Sequence, residues 1–95
     1  MSELTVVISP DRRHAAVSGD IDIANVGELD AALAKLSGEI VVDCTAVTFI
    51  SSSGFASLDR RYDTALARGG TFVVCGMRSS QRRIAAILSV PYVRS

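Results

Sequence analysis

Ninety-five residues amount to one domain's worth of chain, and residues 1–95 are read as a single domain. With 48% apolar residues the chain is expected to fold around a core rather than stay disordered. Ten Lys and Arg balance ten Asp and Glu, which leaves no basic footprint for nucleic acid, and no apolar run approaches the ~18 residues that cross a bilayer, so direct membrane insertion is not expected.

The start, Met1-Ser2-Glu3-Leu4, has no basic stretch followed by an apolar one, as a secretory signal would. Leu4, Val6 and Ile8 then alternate with polar Thr5 and Ser9, the pattern of a strand with one covered face. Ser9-Pro10-Asp11-Arg12-Arg13 is turn chemistry, and Ala15-Ala16-Val17-Ser18 reads as a second strand, antiparallel to the first and ended by Gly19-Asp20. Val26, Leu29, Leu33 and Leu36 recur at helical spacing. Asn25 is placed to cap that helix, with Glu28 completing a capping box and Gly38 stopping it.

Ile40-Val41-Val42-Asp43-Cys44 is a continuous run, suited to a parallel strand buried on both faces. A second helix follows Ser51-Ser52-Ser53-Gly54, with Phe55, Leu58, Tyr62 and Leu66 inward and Gly69-Gly70 at its end. Thr71-Phe72-Val73-Val74-Cys75 repeats the central-strand pattern up to Gly76. Ser79 or Ser80 caps a third helix with Ile84, Ile87 and Leu88 inward, stopped by Pro91. The order β-β-α-β-α-β-α describes an α/β fold: a mixed sheet of four to five strands, an N-terminal hairpin, right-handed βαβ units and helices packed on the sheet. Cys44 and Cys75 lie in the most apolar segments and read as reduced core thiols of a cytoplasmic protein.

Little of this sequence suggests catalysis. It contains neither a phosphate loop nor a dinucleotide fingerprint. One histidine, His14, with two separated cysteines does not make a metal site, and no nucleophile-elbow pattern supports a triad. Neither enzymatic activity nor a cofactor is expected. The richest segment is Phe49-Ile50-Ser51-Ser52-Ser53-Gly54-Phe55, which joins a buried strand to a helix start at the carboxyl end of the sheet, where open α/β sheets bind ligands and partners. One hydroxyl is accounted for by a helix cap. Gly54, lacking a side chain, leaves room for another molecule to approach the backbone. Asp22 reads equally as a cap for the first helix or as a partner contact. Asp43 reads as a hydrogen-bonded carboxylate organising the loop after its strand, and Tyr62 as a core residue with its hydroxyl at the edge.

Gly19-Asp20-Ile21-Asp22, then Asp43-Cys44-Thr45-Ala46-Val47-Thr48-Phe49-Ile50-Ser51-Ser52-Ser53-Gly54-Phe55, and later Gly70-Thr71-Phe72-Val73-Val74-Cys75-Gly76, resemble the STAS domain of bacterial anti-sigma factor antagonists across nearly the whole chain. The resemblance implies a protein that binds an anti-sigma factor of histidine-kinase-like ATPase fold and so releases sigma factor. It makes Ser53 the phosphoacceptor, Ser52 the first serine of the family's pair, and Asp22 an acidic residue of the partner surface. The same anti-sigma factor acts as the kinase, and a PP2C-type phosphatase reverses the modification. Ser51 stands where the family usually has Asp. On the helix after the serines, Arg60 and Arg61 are placed to reach an acidic partner, although arginine pairs are more often solvated. A second resemblance is to the small STAS subunits that regulate the ATPase of lipid-transport ABC systems, which often carry Thr-Gly where this chain has Ser52-Ser53. A third reading uses the serine loop as an anion site for a nucleotide.

Overall fold

The computed structural model describes residues 3–94. Its elements are β1 (Leu4–Ile8), β2 (His14–Ile21), α1 (Val26–Leu33), β3 (Glu39–Ile50), α2 (Ser52–Ala67), β4 (Thr71–Cys75) and α3 (Ser79–Ile87). The order of elements is the expected one. The four strands form one sheet in the order β1-β2-β3-β4. β1 runs antiparallel to β2, from Leu4 opposite Gly19 to Ile8 opposite Ala15. β2 pairs β3, and β3 pairs β4, in parallel. Val93 adds an isolated parallel bridge to Val74, so the last segment lies along the β4 edge.

Two strands are longer than the sequence pattern indicates. β2 does not stop at Ser18 but continues through Gly19 to Ile21, and β3 continues past Cys44 to Ile50. The reason is a pair of bulges. Ala16 and Ser18 pair with Asp43 and Ala46, and Gly19 and Asp20 pair with Val47 and Phe49, so β3 carries one extra residue at each shift. Each insertion re-phases the alternation. The buried positions of β3 accordingly run Ile40, Val42 and Cys44, then Val47 and Ile50, and a search for period two loses the strand at Cys44. Nor is β3 buried on both faces: Val41 and Asp43 are only partly covered. Gly19 is required for the continuation of β2. Its φ is +93°, and a Cβ there would lie 1.9 Å from the Glu3 carbonyl oxygen.

α1 and α2 pack on each other and over the face carrying Val17, Ile21, Val42 and Val47. On α1, Leu29 and Leu33 are buried, as is Leu36 just beyond it. On α2, Phe55 and Leu58 face inward as expected, but Leu66 is 48% exposed and Ala65 takes the inner position. A helix that turns 100° per residue brings Phe55, Leu58, Tyr62 and Ala65 onto one side. Tyr62 is half-buried at 5.5 Å from Tyr92 and 6.5 Å from Phe72 between ring centroids.

The expected inner face of α3 is reversed. Ile84, Ile87 and Leu88 are exposed, and Gln81 and Ala85 face the interior. Gln81 is drawn inward because its Nε2 donates to the Val47 carbonyl at 3.2 Å, on the stretch of β3 beyond its pairing with β4. Neither Ser79 nor Ser80 caps the helix; the Gln81 Oε1 accepts from the Arg78 N–H at 2.9 Å instead. The helix ends before Pro91, with Ser89 at φ +56°. Both thiols are free. Cys44 is buried, which pushes its thiol up to about 12. Cys75 is half-buried rather than fully in the core.

Candidate functional site

β2 and β3 end level with one another, Ile21 opposite Ile50. The Ser51 N–H then donates to the Ile21 carbonyl at 2.9 Å, fixing the exit of β3 beside the exit of β2. Ser51 has extended backbone angles and its Oγ accepts from the Gly54 N–H at 3.2 Å, so it is the serine that caps α2. Ser52 is exposed and Ser53 half-buried in the first turn. That turn contains no acidic residue, and its free N–H groups and the helix dipole favour an anion.

Gly54 does something other than the sequence indicates. It is buried, and a Cβ on it would lie 2.7 Å from Ile21 Cγ2 and 2.9 Å from Ile50 Cγ2. The missing side chain therefore opens space inward, letting α2 press against the sheet, and not outward to a visiting molecule.

Across the rim, the Asp22 carboxylate accepts from the N–H groups of Ala24 (2.9 Å) and Asn25 (3.1 Å). Asp22 thus organises the turn that leads into α1. The capping box between Asn25 and Glu28 does not form. Asn25, which is buried, turns its side chain back: Oδ1 accepts from the Asp22 N–H at 3.0 Å, and Nδ2 donates to the Asp20 carbonyl at 2.7 Å. A buried amide with both ends bonded rigidifies the 20–25 loop. The carboxylate of Asp20 accepts from the Thr48 hydroxyl, closing the loop against β3.

Asp43 is the organising carboxylate anticipated from sequence. Its Oδ1 accepts from the Thr45 hydroxyl (2.6 Å) and the Thr45 N–H (2.9 Å), at the first bulge of β3. These bonds, the hydroxyl first, hold its carboxyl below the usual carboxylate range. Gly76 (φ +78°) closes over this clasp, and a Cβ there would come within 2.3 Å of Thr45 Oγ1.

Asp22, Ser51, Ser52 and Ser53 are brought to one rim, with Gly54 buried beneath it. Arg60 and Arg61 are not on it. Seven residues of helix put Arg60 about 10 Å down α2 from Ser53. Both arginines turn to Asp30 on α1: Arg61 Nε lies 3.2 Å and Arg60 Nη2 3.9 Å from Asp30 Oδ1, which also accepts from the buried Ser57 hydroxyl at 3.1 Å. This cluster joins the two helices, although Arg60 keeps most of its side chain in solvent. The rim also carries Ile23, 80% exposed, and Phe49, 53% exposed. Sequence reading missed both as surface residues. The signal for Ile23 was an isolated apolar residue in a polar turn. Phe49 was masked by the second bulge.

Among the described residues no group of three or more His, Cys, Asp and Glu side chains is placed to hold a metal ion, and no helix is long and apolar enough to cross a membrane. The rim is equipped to present hydroxyls, backbone N–H groups and two apolar side chains to another molecule.

The family model described as STAS domain matches residues 5–91. No curated protein matches the sequence. Among solved structures, the fold is shared with the Bacillus cell fate determinant SpoIIAA in its phosphorylated form, at TM-score 0.72 and 15% identity, covering 97% of this chain and 89% of that one. An anti-sigma factor antagonist from Mycobacterium paratuberculosis aligns at TM-score 0.74 and 24% identity over 94% of this chain and 79% of that one. An anti-sigma factor antagonist STAS domain from Rhodobacter sphaeroides aligns at TM-score 0.60 and 23% identity over 81% and 88%.

Proposed function

The chain belongs to the STAS domain family, and on that premise we propose that it is an anti-sigma factor antagonist: residues 1–95 act as one cytoplasmic domain that binds an anti-sigma factor and frees its sigma factor, until phosphorylation of Ser53 ends the contact. The observation that carries this reading is the division of labour among the three serines. Ser51 is consumed by the helix cap, Ser52 is exposed, and Ser53 stands half-buried in the first turn of α2, which the Ser51 N–H ties to the Ile21 carbonyl at the exit of β2. A phosphoacceptor needs a hydroxyl that a kinase can reach without unwinding the helix, and this rim offers it. The partner in this reading has a histidine-kinase-like ATPase fold and phosphorylates Ser53 itself, and a PP2C-type phosphatase removes the phosphate. The chain has no catalytic role of its own in the cycle.

A phosphate on Ser53 adds roughly −1.5 to −2 charges at neutral pH. At a helix N-terminus that charge is stabilised by about 0.3–1 kcal/mol when exposed. The domain therefore stays folded and the effect falls on the partner, through bulk, the desolvation of a dianion and repulsion added to that of Asp20 and Asp22. Asp22 is the contact proposed on the other side of the rim. Arg60, exposed and only loosely held at 3.9 Å from Asp30, is the arginine of α2 best placed to reach an acidic partner, with Arg61 behind it.

The test is affinity capture from the native host with the wild type, Ser53→Ala and Ser53→Asp, followed by mass spectrometry of the partners and of the 51–53 segment. An ATPase-type anti-sigma factor captured by the first two and lost with the third, at unchanged circular dichroism, is the expected result. Capture of a lipid-transport ABC ATPase instead would overturn the sigma-factor reading. Capture of the anti-sigma factor by all three forms, with no phosphate found, would overturn the switch.

A further inference from the structure

At the pole opposite the serines, where β3 and β4 begin, the ends of α1 and α2 part and leave a cavity of about 160 Å³. Its wall is apolar, formed by Leu33, Leu36, Ile40, Ala65 and Phe72. Ser37, Gly38 and Arg68 are exposed at its rim. Native interiors are packed with few voids larger than a water molecule. An apolar cavity of roughly 150 Å³ stays dry and takes up a benzene-sized guest. The space is thus of a size to hold a tail of about six carbons.

The charge of the lining is one-sided. Two guanidinium groups, Arg61 and Arg68, border the cavity, and among the described residues no acidic side chain lines it, although Asp30 is paired with Arg61. Arg61 Nε is buried and makes no hydrogen bond, because its 3.2 Å approach to Asp30 is poorly aligned. Its charge is nonetheless paired with the Asp30 carboxylate, so the cation that this pairing leaves at the mouth is the exposed Arg68. Arginine is also the side chain whose fork matches a carboxylate.

From the apolar wall, the volume and the cationic mouth together, we propose that this cavity binds a short-chain aliphatic carboxylate, its tail between Leu36 and Phe72 and its head group at Arg68. The site is about a helix length from Ser53 and does not rest on the functional reading above.

The experiment is calorimetric titration of the full chain with the sodium salts of the straight-chain acids from butanoate to octanoate, with 1-hexanol and hexylamine as head-group controls. Affinity is expected to rise by about fourfold per added methylene, then to level off once the tail fills the cavity. Hexanol binds at least tenfold more weakly than hexanoate, and hexylamine does not bind. Ala65→Leu, which fills the space, abolishes binding at an undiminished melting temperature. Arg68→Ala, at an exposed position, weakens hexanoate by about tenfold, the loss of one charge-assisted hydrogen bond. The proposal is overturned by the absence of saturable binding at millimolar acid, by hexylamine binding as well as hexanoate, or by a folded Ala65→Leu that binds undiminished. Should Ala65→Leu fail to fold, an unchanged affinity in Arg68→Ala overturns the assignment of the head group.

Discussion

A Cβ built on Gly54 would sit 2.7 Å from Cγ2 of Ile21, so the last residue of β2 sets how closely α2 can lie on the sheet. Non-bonded carbons prefer separations of roughly 3.5–4 Å, and Gly54 allows an approach that no other residue does. In Gly54→Ala the helix must lift or the isoleucines must shift. A loss of about 1–3 kcal/mol is expected from such overpacking. It is measured as a lower urea midpoint, and an unchanged midpoint would show that the rim yields freely.

Positive φ alone and positive φ with a collision are separable in this chain. Gly19 (φ +93°) faces the Glu3 backbone at 1.9 Å, whereas Gly69 (φ +79°) faces open space. Gly69→Ala is expected to cost about 1 kcal/mol, the left-handed penalty alone. Gly19→Ala must also displace β1, and is expected to cost clearly more than about 3 kcal/mol and to melt the hairpin first. Denaturant titrations of the two variants side by side check the ranking, and equal losses would contradict it.

Ser51 caps α2 through its hydroxyl, and Asp caps as well as Ser does. At this position Ser and Asp are thus physically interchangeable as a cap. Ser51→Asp should leave stability within about 0.5 kcal/mol of the wild type, and Ser51→Ala should lose about 1 kcal/mol. Thermal denaturation followed by circular dichroism distinguishes them. A drop in Ser51→Asp as large as in Ser51→Ala would show that the rim does not accept a carboxylate.

Asp43 makes stability depend on acid. Its folded pKa is lowered by the Thr45 hydroxyl and N–H, so below the unfolded value of about 3.9 the unfolded chain binds more protons than the folded one. Its contribution is complete above that value and is lost as pH falls through the folded pKa. Urea midpoints of the wild type are expected to hold from neutral pH down to about pH 4 and to fall below it. Asp43→Asn should show a shallower acid limb, and a limb as steep as the wild type's would assign the dependence to other carboxylates.

The legibility of this fold in its sequence differs from element to element. β1, the first half of β2 and β4 alternate or run apolar without interruption, so their pattern announces them. β3 could be read only to Cys44, because the bulges at Asp43–Ala46 and Val47–Phe49 break the alternation that reveals a strand. α3 was visible as a helix but with the wrong face inward. Its isoleucines suggested burial, whereas the bond from Gln81 to Val47 turns them outward. A side-chain hydrogen bond to a distant carbonyl leaves no trace in periodicity. The rim was legible as a cluster of hydroxyls, but the inward role of Gly54 and the locking amide of Asn25 depend on packing that no local pattern encodes. The pull of Asp30 on Arg60 and Arg61 is of the same kind.

The sheet order β1-β2-β3-β4 repeats the order in which the strands are made. Each strand after β1, on emerging from a ribosome, finds one neighbour already present. Only the hairpin closes a short loop; β2–β3 and β3–β4 pair across whole crossover helices, as with His14 opposite Val41 and Glu39 opposite Thr71, which slows folding, and the N-terminal hairpin can serve as the template on which the parallel strands are laid in turn. Tyr92 latches the β4 edge: its hydroxyl donates to Asp59 and its carbonyl accepts from the Val74 N–H at 2.8 Å. A nascent chain halted before Tyr92 would therefore lack the segment that latches the β4 margin of the sheet.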